Sequence, residues 1–155
     1  MAKQFGSTAD VVGDPVANGA TVEVIANGTN RTTQVLSMPP GAALPGGSGW
    51  SPVGTIGFKY KDVAGANGPV KTAIIKKAAS GAFSIKILAL GSLGPGPQPH
   101  LTVVPPNDGT DGGFRYTIGG GSTYCVAFGP PVGGTVVNGG DTFFMITNPS
   151  GQGCP

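Results

Sequence analysis

Residues 49–62, GWSPVGTIGFKYKD, and the two runs after them, PVKTAIIKK at 69–77 and AFSIKILALG at 82–91, decide the fold class. Ile56, Phe58 and Tyr60 alternate with Thr55, Gly57, Lys59 and Lys61. Phe83, Ile85, Ile87 and Ala89 alternate with Ser84 and Lys86. Apolar residues at every second position mark a half-buried strand, because successive side chains leave a strand on opposite faces. Asn67-Gly68 and Ser80-Gly81 punctuate the stretch, which therefore reads as a three-stranded meander with a lysine-bearing outer face.

Outward from this meander the pattern repeats in shorter pieces. Strands are expected over 9–12, 21–26 and 32–38 before it, and over 100–104, 114–118, 124–128, 135–137 and 141–147 after it. Asn27-Gly28 predicts a type I′ hairpin turn, since both residues tolerate positive φ. The Pro/Gly-rich stretches at 39–49 and 91–99 read as loops. Residues 72–79 carry the one helix-like pattern and suit a strand as well. The expectation is an all-β protein, an antiparallel β-sandwich of jelly-roll or immunoglobulin-like type. It would have about ten short strands, no significant helix, an N-terminal arm at 1–8 and a single domain over 9–155.

Composition bounds the function. Glycine (29) and proline (15) exceed a quarter of the 155 residues, a level common in low-complexity chain. The 39% hydrophobic fraction, set in short β-branched runs, argues instead for strands joined by tight turns. Charged residues make up only 10%, so solubility rests on uncharged polar groups or the surface is partly covered by neighbouring subunits. A net charge of +2 gives no ground for a nucleic-acid partner or a membrane partner. Between Lys59 and Lys86 lie six lysines and one acid, Asp62, which read as a solvated face that resists edge pairing. No apolar run is long enough to span a bilayer. Residues 1–10 lack an apolar signal-peptide core, so the chain is either cytosolic or already processed. Low charge, abundant Thr and Gly, and cysteine placement favour an extracellular or cell-surface protein.

Cys125 and Cys154 are the only cysteines, and a bridge between them would anchor the tail to the sheet. Two free buried thiols and a bridge between subunits are the alternatives. Two cysteines and one distant histidine fall short of a metal site. His100 is the only histidine, so any Ser-His-Asp device must use it, yet no G-x-S-x-G elbow lies near. The acids Asp10, Asp14, Glu23, Asp62, Asp108, Asp111 and Asp141 mostly occupy turn positions, so no enzyme and no firm cofactor is expected. Asn107, Asp108 and Asp111 offer closely spaced oxygens for Ca²⁺ but lack the EF-hand pattern; an acidic turn is the simpler reading. Trp50, Tyr60 and Tyr124 are the candidate sugar contacts, against the ordinary reading of core packing. Asn27 and Asn30 head two glycosylation acceptor patterns, of which the turn already explains Asn27. The Gly119-Gly120-Gly121 run lacks the strand-to-helix context of a phosphate loop.

The combination GFKYKD, GPVKTAIIKK and FSIKI, followed by TYCVAFG and NPSGQGCP, resembles a Cys-bearing C-terminal β-module of secreted environmental bacterial proteins. The matching positions are Phe58, Tyr60, Lys61, Asp62, Gly68, Pro69, Tyr124, Cys125, Phe128, Gly129 and Cys154, within the span from about residue 50 to the end. The resemblance implies an extracellular bacterial setting and the disulfide, and no chemistry. Here the module is most of a small chain instead of the trailer of an enzyme. Taken together, the expected function is a non-catalytic extracellular structural or assembly protein. It would be a subunit of a filament or surface layer whose arm completes a neighbour's sheet by strand addition, so that its partner is itself. The alternative is a carbohydrate- or surface-binding sandwich module with polysaccharide as partner. A hydrolase using His100 or paired acids is the third reading.

Overall fold

The computed structural model describes residues 2–4, 11–28, 31–81, 83–90, 109–130, 133–138, 144–147 and 153–154. The expected strand over 100–104, with His100, lies outside them, as do Asn30, Asn107 and Asp108. The elements are β1 (Ala2–Gln4), α1 (Pro15–Asn18), β2 (Ala20–Gly28), β3 (Thr32–Met38), β4 (Gly49–Pro52), β5 (Gly57–Lys61) and β6 (Val70–Lys77). They continue with β7 (Phe83–Ala89), β8 (Gly109–Ile118), β9 (Thr123–Phe128), β10 (Thr135–Asn138) and β11 (Phe144–Thr147).

Two antiparallel sheets pack face to face as a β-sandwich. The first has the order β1-β7-β6-β5-β4 and holds the expected meander at its centre. The second has the order β3-β2-β8-β9, two hairpins joined through the β2–β8 pair. A separate β10–β11 hairpin follows. The inner faces meet in one core: Trp50, Tyr60, Val70, Ala73, Ile75, Phe83 and Ile85 from the first sheet, and Ala20, Val22, Leu36, Met38, Tyr116, Ile118 and Tyr124 from the second. Period-two alternation produces this arrangement, each strand sending one side chain in and the next out.

Several local expectations are corrected. Asp14, one of the acids read as turn residues, caps a single helical turn, α1. The Asp14 carboxylate accepts from the Val16 and Ala17 amides, and Pro15 occupies the first helical position, where it has no amide to lose. Strand β2 runs through Asn27-Gly28 instead of turning there. Its last pair with β3 is Ala26–Thr32, while Asn27 and Gly28 stay paired to β8 across a register shift. Trp50, ahead of the meander, sits in a strand of its own, β4, opposite Tyr60. Ile56 lies outside β5 and is exposed. The acidic turn expected around Asn107, Asp108 and Asp111 gives way to β8 from Gly109 onward.

The triple-glycine run is explained by backbone proximity. It forms the β8–β9 turn, against which the segment leading into α1 lies. The Ser122 amide donates to the Val12 carbonyl at 3.1 Å, and the Gly119 amide donates to the Gly19 carbonyl at 2.9 Å. A Cβ on Gly121 would collide with the Val12 carbonyl, and one on Gly119 with the Asn18 carbonyl. Glycine is required there for the close approach of two segments of the chain, not for phosphate.

Candidate functional site

The three aromatic residues expected as sugar contacts are core residues. Trp50 and Tyr60 are each 1% exposed, with ring centroids 5.1 Å apart, and the indole nitrogen donates to the Pro39 carbonyl at 2.9 Å. Tyr124 is buried against Phe83 across the two sheets, at 5.1 Å between centroids, and its hydroxyl accepts from the Val12 amide. A sugar platform needs a ring face open to solvent, and none of these rings has one.

The other expected positions are equally occupied by structural bonds. The Asp111 carboxylate accepts from Asn27 Nδ2 at 2.8 Å and from the Thr110 hydroxyl at 2.7 Å. Asn27, a candidate glycosylation site, thus has its side-chain nitrogen bonded across to β8. Among the described residues no three His, Cys, Asp or Glu side chains gather as metal ligands. Cys125 and Cys154 form the intramolecular disulfide. The tail it anchors also bonds β9 directly, the Ala127 amide donating to the Gly153 carbonyl at 3.2 Å.

Sequence reasoning passed over Asp62 as one more turn acid. It is fully buried at the end of β5, and three donors converge on its carboxylate. The Ser48 hydroxyl at 2.7 Å and the Ala66 amide at 3.0 Å reach Oδ1, and the Asn67 amide at 2.7 Å reaches Oδ2. Burial alone would raise its pKa. The bonds from Ser48, Asn67 and Ala66 outweigh that and hold the carboxyl below its ordinary value. Asn67 Nδ2 also donates to the Tyr60 hydroxyl at 3.3 Å. Burial pushes that phenol up to about 12, with the nearby Asp62 charge adding to the shift. The constellation closes the loop between β5 and β6 over the core.

What remains open is the outside of the first sheet. All seven lysines of the chain lie on its strands: Lys3, Lys59, Lys61, Lys71, Lys76, Lys77 and Lys86. None of the chain's seven acids does. Pairing places Lys59, Ile74 and Lys86 in one cross-strand row of the outer face, and Lys61, Thr72 and Leu88 in the next. Lys59, Lys61, Lys76 and Lys86 are exposed, and Leu88 is 43% exposed among them.

The second sheet's outer face differs. There Arg115 pairs with Glu23 at 3.0 Å, flanked in the same row by Cys125. Ile25 points the same way by strand parity yet is only 4% exposed, and β10 lies against β8. One outer face is therefore partly covered by the chain's own C-terminal segment, and the other is cationic and, among the described residues, uncovered.

The first sheet also has a partly open edge. Strand β1 pairs only with Phe83, Ser84 and Ile85 of β7. Among the described residues nothing pairs with residues 86–89 of β7 on that side. No family model matches the chain, and neither does any curated protein or solved structure.

Proposed function

We propose that this chain is a non-catalytic structural protein of an oxidising, extracellular setting that assembles with copies of itself by exchanging its N-terminal strand. The observation that carries the reading is the β1–β7 pair: a three-residue strand on a seven-residue edge. A strand of three residues is held by few hydrogen bonds, each worth about 1 kcal/mol net, against about 1–2 kcal/mol per residue of backbone ordering. Its release therefore costs little. The exposed half of β7 then offers unpaired backbone groups to an extended segment from a neighbour.

Mass action sets the condition. Strand β1 competes for its own sheet at an effective concentration on the order of millimolar. Exchange between copies therefore prevails only where the protein is crowded, as in a layer or fibre. The disulfide supports the compartment, since such bonds persist in oxidising surroundings.

The test is light scattering on the purified chain over a concentration series, beside a variant lacking residues 1–8. The full chain is expected to form larger species as concentration rises, and the truncated chain to stay monomeric. A labelled peptide of residues 1–8 should bind the truncated chain. A full chain that remains a monodisperse monomer at its solubility limit would refute the proposal.

A further inference from the structure

We infer that the outer face of the first sheet is a docking surface for a linear acidic polysaccharide, a polymer carrying carboxylate or sulfate groups on its sugar rings. This rests on the sheet face alone and does not depend on strand exchange.

The usual reason for lysines on a sheet is protection of an edge against pairing with another strand. Here it accounts only for Lys3 and Lys86, at the β1–β7 edge. Lys59 and Lys61 lie on β5, and Lys76 on β6, both interior strands in the order β1-β7-β6-β5-β4. Nor is this an ordinary soluble surface, on which both signs of charge are interspersed. The strands of this sheet contain no acid, and the one acid beside them, Asp62, is buried and turned into its own loop. Four exposed lysines, Lys59, Lys61, Lys76 and Lys86, on the outer face of one sheet of a chain whose net charge is only +2 are a segregated positive face.

The chemistry of the face selects among polyanions. Lys59 and Lys86 flank Ile74 two strands apart, roughly 9–10 Å at strand spacing, and Lys59 and Lys61 stand about 7 Å apart along one strand. That grid is sparse beside duplex DNA, with one charge per about 1.7 Å of axis. A flat sheet face also has nothing to insert into a groove. Single-stranded nucleic acid binds by stacking on aromatic rings, and Trp50, Tyr60, Phe83 and Tyr124 all belong to the buried core. A polymer whose charges are separated by whole sugar rings suits the grid. The Ser51, Thr72 and Ser84 hydroxyls share these outer rows with the lysines, as partners for sugar hydroxyls.

The test uses the full-length protein with alginate, dextran sulfate, uncharged dextran, duplex DNA, and vesicles of phosphatidylserine and phosphatidylcholine. Binding to alginate or dextran sulfate is expected, weakening as salt rises, with none to dextran. The double substitution Lys59→Gln with Lys86→Gln should weaken it at least about tenfold, while Arg31→Gln, outside this sheet, should leave it unchanged. Both lysines are exposed, so circular dichroism and Tm should not move. Failure of both acidic polymers to bind at low ionic strength overturns the inference. Full retention of affinity by the double variant overturns it too, as does tighter binding to DNA or to the vesicles.

Discussion

Removing the Asp62 carboxylate is expected to be among the most damaging single changes outside the apolar core. In Asp62→Ala the Ala66 and Asn67 amides lose the acceptors that now lie 3.0 and 2.7 Å away, in a carboxylate that itself has no solvent exposure. A buried donor left without a partner costs about 1–3 kcal/mol, so two cost about 2–6. Part is returned, because the variant no longer buries a charge. A net loss of about 3 kcal/mol follows, against a total of about 5–15 for a domain of this kind. Urea denaturation followed by circular dichroism should show the midpoint falling by about 1–3 M at unchanged slope. Asp62→Asn separates charge from shape. Its amide group must face either the Asn67 or the Ala66 N–H, so it should lose less than Ala but more than an ordinary surface change. The pH dependence adds a second readout. Because the folded-state pKa lies below the ordinary 3.8, the carboxylate's contribution is full above the unfolded value. It is lost as pH falls from near 4 through the folded pKa. The wild type should therefore lose stability over that acid range more steeply than Asp62→Asn. A loss under about 1 kcal/mol for Asp62→Ala, or equal acid slopes for wild type and Asp62→Asn, would refute the argument.

Other expectations follow from single contacts. The Tyr116 hydroxyl is buried and has no hydrogen-bond partner among the described residues, so Tyr116→Phe should melt at or above the wild-type Tm. Tyr60, pushed up to about 12, should stay protonated through pH 11 in an ultraviolet titration of the folded protein. With the folded pKa above the unfolded 10.0, its contribution is present below pH 10 and fades as pH rises toward 12, so alkaline unfolding should be shallower in Tyr60→Phe. Replacing both cysteines by alanine opens a link across a sequence separation of 29, worth about 3–4 kcal/mol in the chain-entropy model, and should raise hydrogen exchange at the Ala127 amide. Gly121→Ala forces apart the Val12 carbonyl and the β8–β9 turn, and should lower Tm by several degrees, whereas Gly46→Ala, with open space around it but positive φ, should cost less.

The meander was legible because its side chains alternate without interruption. Phe83 and Ile85 with Ser84 and Lys86 land on the faces that period-two parity assigns. Parity alone misread the ends. Ile56 continues the apolar series but lies beyond the strand, and Trp50 sits in a short strand ending at Pro52, which had no clean pattern to mark it. The helical turn at Pro15–Asn18 is too short to show a 3.6-residue period, and only Asp14 followed by proline announced it. Asp62 was missed for a different reason. An acid beside a Gly/Asn loop is ordinary, and only the fold shows that the Ala66 and Asn67 amides turn back onto it. Its position as the lone acid among six lysines was the available signal.

The charge segregation constrains how copies can meet. Two first-sheet outer faces cannot stack on each other, because each brings exposed lysines and no acid to offset the other's. The acids of the second sheet's outer face are already engaged, Glu23 with Arg115 and Asp111 with Asn27 and Thr110. Assembly through the sheet edge at β7 avoids both difficulties, because backbone pairing needs no charge complement and leaves the lysine face uncovered. A polymer built through that edge would present one such face per subunit. For a long acidic chain spanning neighbours, each further contact is then an intramolecular event at high effective concentration. Weak binding per subunit would suffice for firm attachment of the assembly, and the same weakness in an isolated subunit is what the salt-dependent binding measurement should find.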